Sequence, residues 1–227
     1  MSIEENIKNC EICLKRIRQY DPDPHYVSYF FNEYIISVRN MLNGILEEAS
    51  RDFGLFISQN ISKEIFLEKV KMRNDERATK FIEWYVMRLE KEHECRYPNF
   101  IQKACEFQNK FKRLPKIKIM ISASDRYEDD INQQIKVNLS HEKLRSREEL
   151  NIEVRRQLPI FLEVINYKRR KENEPKVEEN QVHVSTFLDI GNQSDIEIIH
   201  ASEIYVSVMR RLVKEAREQI KELIMHN

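Results

Sequence analysis

The chain is predicted to fold as α+β, predominantly α: a helical bundle bearing a small antiparallel three-stranded β-sheet and a long C-terminal helix. Three observations predict this. Apolar residues recur at helical spacing over most of the 227 positions, period-two alternation is confined to three short runs, and only three glycines occur. Strands and helices do not alternate one by one, so no βαβ unit and no parallel sheet is implied. The glycines, Gly44, Gly54 and Gly191, form no G-x-G-x-x-G or Walker-type string, which excludes those phosphate-cradling loops.

The elements are read in chain order. Residues 3–113 form the bundle. Its first helix covers 3–19, with Ile3, Ile7, Cys10, Cys13 or Leu14, and Ile17 on one face. Asp21-Pro22-Asp23-Pro24 ends it, because proline cannot continue the ladder and biases its predecessor toward extended backbone. His25 to Phe53 is the most hydrophobic helix. Tyr26, Phe30 and Tyr34 line one stripe and Phe31, Ile35, Val38, Leu42, Ile45, Ala49 and Phe53 another, so it belongs at the centre of the bundle. Gly54 stands where a C′ glycine would end it. Ser62 opens a third helix, from about Lys63 to about His93, either continuous or broken near Arg73-Asn74-Asp75, and Pro98 permits a fourth that runs toward Arg113.

The period then changes. Ile117, Ile119 and Ile121 alternate with Lys116, Lys118, Met120 and Ser122, giving a strand with one wet face, and Ile135, Val137 and Leu139 alternate again. With the polar turn 125–130 they make a β-hairpin over 116–139. A helix over 142–171 should be kinked or divided at Pro159. A strand at 181–188 can join the hairpin, and a helix over 195–224 completes the chain. The sheet with two helices would make a thin core alone, so 1–227 is read as one domain.

Charge and composition bound the function. Lys+Arg and Asp+Glu both total 38, so binding to nucleic acid would require a local patch. No apolar run approaches the roughly 18 residues of a membrane span, and the N-terminus lacks a signal-peptide apolar region. Four cysteines do not make a disulfide scaffold. A cytoplasmic protein with reduced thiols, no membrane partner and no cofactor is expected.

Cys10-x-x-Cys13 lies inside a helix on its apolar side, and is read as core rather than as a zinc or redox pair. The histidines form no H-x-E or H-E-x-x-H string, so no metal is expected. Arg88 and His93 have the form R-x4-H near a helix end. Such a pair could attack an RNA phosphodiester, histidine as general acid or base and arginine stabilising charge; the alternative is a solvated face. Arg39 and Asn40 interrupt the greasiest helix. A buried arginine needs a partner, so Arg39 either pairs with an acid on a neighbouring helix or marks a polar cavity. Arg145, Arg147, Arg155, Arg156 and Lys168–Lys171 are locally basic, with glutamates interleaved as on a solvated helix.

Three segments resemble uncharacterised archaeal proteins of the HEPN superfamily of helical nucleotide- and RNA-binding domains. They are His25-Tyr26-Val27-Ser28-Tyr29-Phe30-Phe31 continuing to Val38-Arg39-Asn40-Met41-Leu42, the stretch Phe81-Ile82-Glu83-Trp84-Tyr85, and strand 182–188 followed by the helix with Tyr205, Arg211 and Glu215. In that family an R-N-x-x-x-H string closes the fourth helix. Here the arginine and histidine positions read Phe107 and Lys112, so the general acid/base is missing where the family would place it. The resemblance implies a non-catalytic, homodimeric HEPN-like binding or regulatory module for RNA or nucleotide, with Arg39, Asn40, Lys112 and Arg113 as binding residues. Two alternatives stay open: a metal-independent ribonuclease using Arg88 and His93, and a structural protein–protein interaction domain with no nucleic-acid role.

Overall fold

A computed structural model of the protein describes residues 2–57, 61–123, 136–139, 147–190 and 196–225. Helix α1 spans Ile3–Tyr20 and α2 Pro24–Asp52; α3 (Lys63–Arg73), α4 (Glu76–His93) and α5 (Arg96–Phe111) follow. Strand β1 is Lys116–Ala123 and β2 Lys136–Leu139; α6 is Arg147–Glu172, β3 Val182–Asp189, β4 Ile196–Glu197 and α7 Ile198–Met225. The fold is therefore α+β and predominantly helical, ending on a 28-residue helix.

Local chemistry sets the boundaries. Ser2 caps α1 reciprocally with Glu5, and Asp23 caps α2 ahead of Pro24 at its first turn. Gly54, at φ 67°, closes α2: its N–H reaches the carbonyl of Arg51, and that of Leu55 reaches Ser50. This is the paired C-terminal bonding that favours a left-handed glycine. The stretch from Lys63 to His93, counted as one helix, is broken at Arg73-Asn74-Asp75, the place the sequence left open, and forms two. Asn74 adopts the left-handed conformation and Asp75 caps α4, so five helices precede the sheet rather than four. Asparagine tolerates that backbone and aspartate supplies the cap, which outweighs the continuous apolar period.

Helix α2 lies at the centre, packed against α1, α3, α4, α5, α7 and β1. Val27, Phe31, Tyr34, Val38, Met41 and Ala49 are fully buried on it. Each of the larger ones contributes about 1.5–3 kcal/mol by leaving water. Buried hydroxyls are satisfied, Tyr34 donating to the carbonyl of Ser202 at 2.9 Å and Tyr85 to that of Leu42 at 3.2 Å. α1 approaches closely at Gly44, where a Cβ would stand 2.9 Å from Cγ1 of Ile3.

The sheet order is β2-β1-β3-β4, antiparallel throughout, so the three expected strands gain a two-residue fourth. β1 and β3 pair over eight residues, Ile117 opposite Leu188, Ile119 opposite Thr186 and Ile121 opposite Val184. One apolar face serves two cores. Ile117 and Leu188 join the bundle, whereas Ile119, Ile121 and Ala123 pack with Leu150 and Phe161 of α6. The opposite face is not uniformly wet, since Met120, Ser185 and Phe187 are buried. Pro159 lies inside α6 and does not divide it. The turn at 125–130, residues 142–146 and Gly191 lie outside the described residues.

Asp21 ties the sheet to the bundle. Its Oδ1 accepts from the N–H of Thr186 at 3.0 Å and from its hydroxyl at 2.5 Å. That N–H lies just beyond the last β3–β4 pair, Phe187 with Glu197, so the carboxylate replaces a missing strand partner. Burial pushes the Asp21 carboxyl up to about 6, and the two hydrogen bonds from Thr186 only partly oppose this.

Candidate functional site

Arg39 is half-buried on the face of α2 turned to α5. Its Nη1 donates to Oε1 of Gln108 at 3.2 Å and to Oδ1 of Asn109 at 3.4 Å. Gln108 is itself buried, and its Nε2 donates to Oδ1 of Asn32 at 3.5 Å, which turns its oxygen toward the guanidinium. Lys112 donates from Nζ to the same Asn109 oxygen at 3.3 Å. Two cations are thus oriented by one amide oxygen. Arg39 does find a neighbouring helix, but it meets amides there rather than the acid expected. Among the described residues, Arg39, Lys112 and Arg113 have no carboxylate partner.

Neutral acceptors satisfy N–H donors without cancelling charge, so the cluster stays net positive. Lys112 holds a further distinction. It caps α5 at φ 56°, a left-handed position where glycine or asparagine would be unstrained. Of the remaining predicted binding residues, Asn40 is exposed on α2 and Arg113 is exposed just past α5, and neither bonds into the cluster.

An aromatic surface lies toward the same end of the bundle. Tyr20 stacks on Tyr26 with centroids 4.5 Å apart and on Phe30 at 5.7 Å, and Tyr29 meets Phe30 edge-on. Tyr26 is 51% and Tyr29 63% exposed. The start of α2 is held near β3 through Asp21, and α5 leads directly into β1. Both the aromatic surface and Lys112 therefore sit at the sheet-facing end.

Arg88 and His93 are arranged differently. Five residues of helix separate their directions by about 140°. Arg88 faces α7, where Nε donates to Glu215 at 2.7 Å, while Nη1 meets Glu92 at 2.5 Å. Arg211 of α7 reaches the same Glu92 oxygen at 2.5 Å. Burial would raise the Glu92 carboxyl, but the hydrogen bonds from Arg88 and Arg211 outweigh it and hold the group below its ordinary range. His93 takes no part in this network. Its Nε2 is buried without a hydrogen-bond partner, and burial lowers the imidazole pKa against the opposing pull of Glu92 and Glu90.

Gln108, Asn109 and Asn32 were not foreseen, since a lone amide carries no sequence signature. The paired network had one: Arg88-x-x-x-Glu92 and Arg211-x-x-x-Glu215 repeat the same one-turn spacing on two helices. Cys10 and Cys13 are core residues; burial drives the Cys10 thiol far up and that of Cys13 to about 11, so neither is a thiolate near neutrality. Among the described residues no three His, Cys, Asp or Glu side chains converge as a metal site, and no helix is long and apolar enough to cross a membrane. Comparison with known proteins finds no matching family model, no matching curated protein and no matching solved structure.

Proposed function

We propose that the protein is a non-catalytic, HEPN-like, cytoplasmic binding or regulatory module that takes RNA or a nucleotide by its phosphate, with Arg39 and Lys112 as the cationic contacts. The Arg39 guanidinium carries this reading. It is fixed by two neutral amides, keeps its full charge and has further N–H donors to offer a phosphate oxygen. Roughly 15–20 Å along α2 from Arg39 and turned away from it around the helix, the exposed rings of Tyr26 and Tyr29 supply separate faces on which unpaired bases of an extended strand can stack. Arg88 is occupied by two carboxylates, which weighs against its serving a phosphodiester transition state.

The test is salt-titrated retention of mixed single-stranded RNA without metal, comparing wild type with Arg39→Ala and His93→Ala. Retention should weaken with salt and fall roughly tenfold in Arg39→Ala, with no cleavage by any of the three. Retention unchanged in Arg39→Ala would refute the assigned site. Cleavage that disappears in His93→Ala would establish the ribonuclease instead.

A further inference from the structure

Helix α6 turns Leu150, Phe161 and Ile165 onto the sheet, yet a second apolar seam on it faces water. Ile160, Val164 and Tyr167 are 56%, 51% and 58% exposed. With Glu153, Gln157 and Lys171 they are spaced 4-3-4-3-4, the heptad spacing that keeps a helical seam on a partner helix. Lys171 lies with its Nζ 4.5 Å from the centre of the Tyr167 ring, at one end of the seam, and Glu153 stands at the other, accepting from Arg156 and Gln157.

The seam reads as its own complement when reversed. Two antiparallel copies related by a two-fold axis at Leu162 bring Ile160 against Val164, Gln157 against Tyr167, and Glu153 against Lys171. Apolar meets apolar in the middle, an amide meets a phenol, and opposite charges meet at both ends. A two-fold interface requires this self-complementarity, since each contact must occur twice. Parallel pairing in register would instead set Glu153 against Glu153 and Lys171 against Lys171. We infer that the Glu153–Lys171 seam of α6, half-buried at Glu153 and Gln157 and exposed from Ile160 onward, is a homodimer interface in which two copies pair antiparallel. The inference is independent of the nucleic-acid reading, because α6 carries none of the residues assigned there. One element opposes it: Glu163 flanks the seam next to the axis and would face its own copy.

The test is sedimentation equilibrium of the full chain, with circular dichroism confirming helicity of each variant. Wild type should dimerise, and Val164→Lys, a change on an exposed position, should weaken the dimer at least tenfold while leaving helicity intact. Glu153→Lys and Lys171→Glu should each weaken it, and the double exchange should restore it; Glu163→Gln should tighten it. A wild type that stays monomeric up to about 100 μM, weaker than a typical specific dimer, overturns the proposal. A dimer indifferent to Val164→Lys places the interface elsewhere. Single charge changes without rescue in the double variant rule out the antiparallel register.

Discussion

Two arginine clusters sit between different pairs of helices and are partnered in opposite ways. Between α4 and α7, Arg88 and Arg211 meet Glu92 and Glu215, so the charges cancel within the network. The other arginines of α7 follow the same pattern, Arg210 with Glu11 and Arg217 with Glu48 and Glu4. Between α2 and α5, Arg39 is oriented by longer bonds, at 3.2 and 3.4 Å, and only by amide oxygens. A carboxylate spends the arginine on packing, whereas an amide aims it and leaves its charge to act on something else. The first arrangement is a staple between helices; the second is what a site for an anion requires.

The contrast can be broken first at the staple. Glu92 is buried and serves two guanidiniums, so Glu92→Gln leaves both short of a counter-charge. A loss of about 2–3 kcal/mol is expected by urea unfolding, below the full cost of breaking a buried pair because Arg211 is half exposed. The equivalent change at the other cluster, Arg39→Ala, should cost less than about 1 kcal/mol of stability while weakening RNA retention roughly tenfold. Equal stability losses at the two sites would erase the distinction.

Asp21 extends the comparison to an anion, since neutral donors of Thr186 hold it. Its folded pKa of about 6 lies above its ordinary 3.8, so folding takes up a proton between those values. The stability it supports is fully present below about pH 4 and is lost as pH rises through 6. Asp21→Asn should remove that slope. Each pKa unit is worth about 1.4 kcal/mol, and partial exposure discounts the total to about 2 kcal/mol between pH 4 and 7. Chemical unfolding across that range measures it, and an unchanged slope would relocate the titration. The smallest effect is at Lys112. Lys112→Gly should relieve the left-handed strain, raising stability by about 0.5–1 kcal/mol, while lowering the salt slope of RNA binding by about one.

What was legible in the sequence follows from range. Periodicity, proline and capping residues act locally, so the helices, the hairpin and the position of Gly54 could be read from spacing. The division at Asn74 was marked only weakly because the apolar pattern runs through it, and of the two outcomes open at Pro159, a kink or a break, the break does not occur. At the candidate site, Arg39 was visible as a charge in a greasy helix. Its partners lie about seventy residues away on α5, and no local rule links an arginine to distant amides. Likewise Arg88 could be found but not its commitment to Glu215, which depends on how α4 and α7 meet.

The division of one sheet face between two cores has a consequence for motion. α6 packs on β1 and β2, whereas β1 and β3 are also anchored in the bundle through Ile117 and Leu188. Helix α6 can therefore detach as a cooperative unit without dismantling α2 or α7, exposing only the smaller core. Its amide hydrogens should exchange at an opening free energy well below that of global unfolding, and those of α2 near the global limit. The molecule would then present a stable chassis and a separately hinged arm, whose closed population any partner seated on α6 would raise.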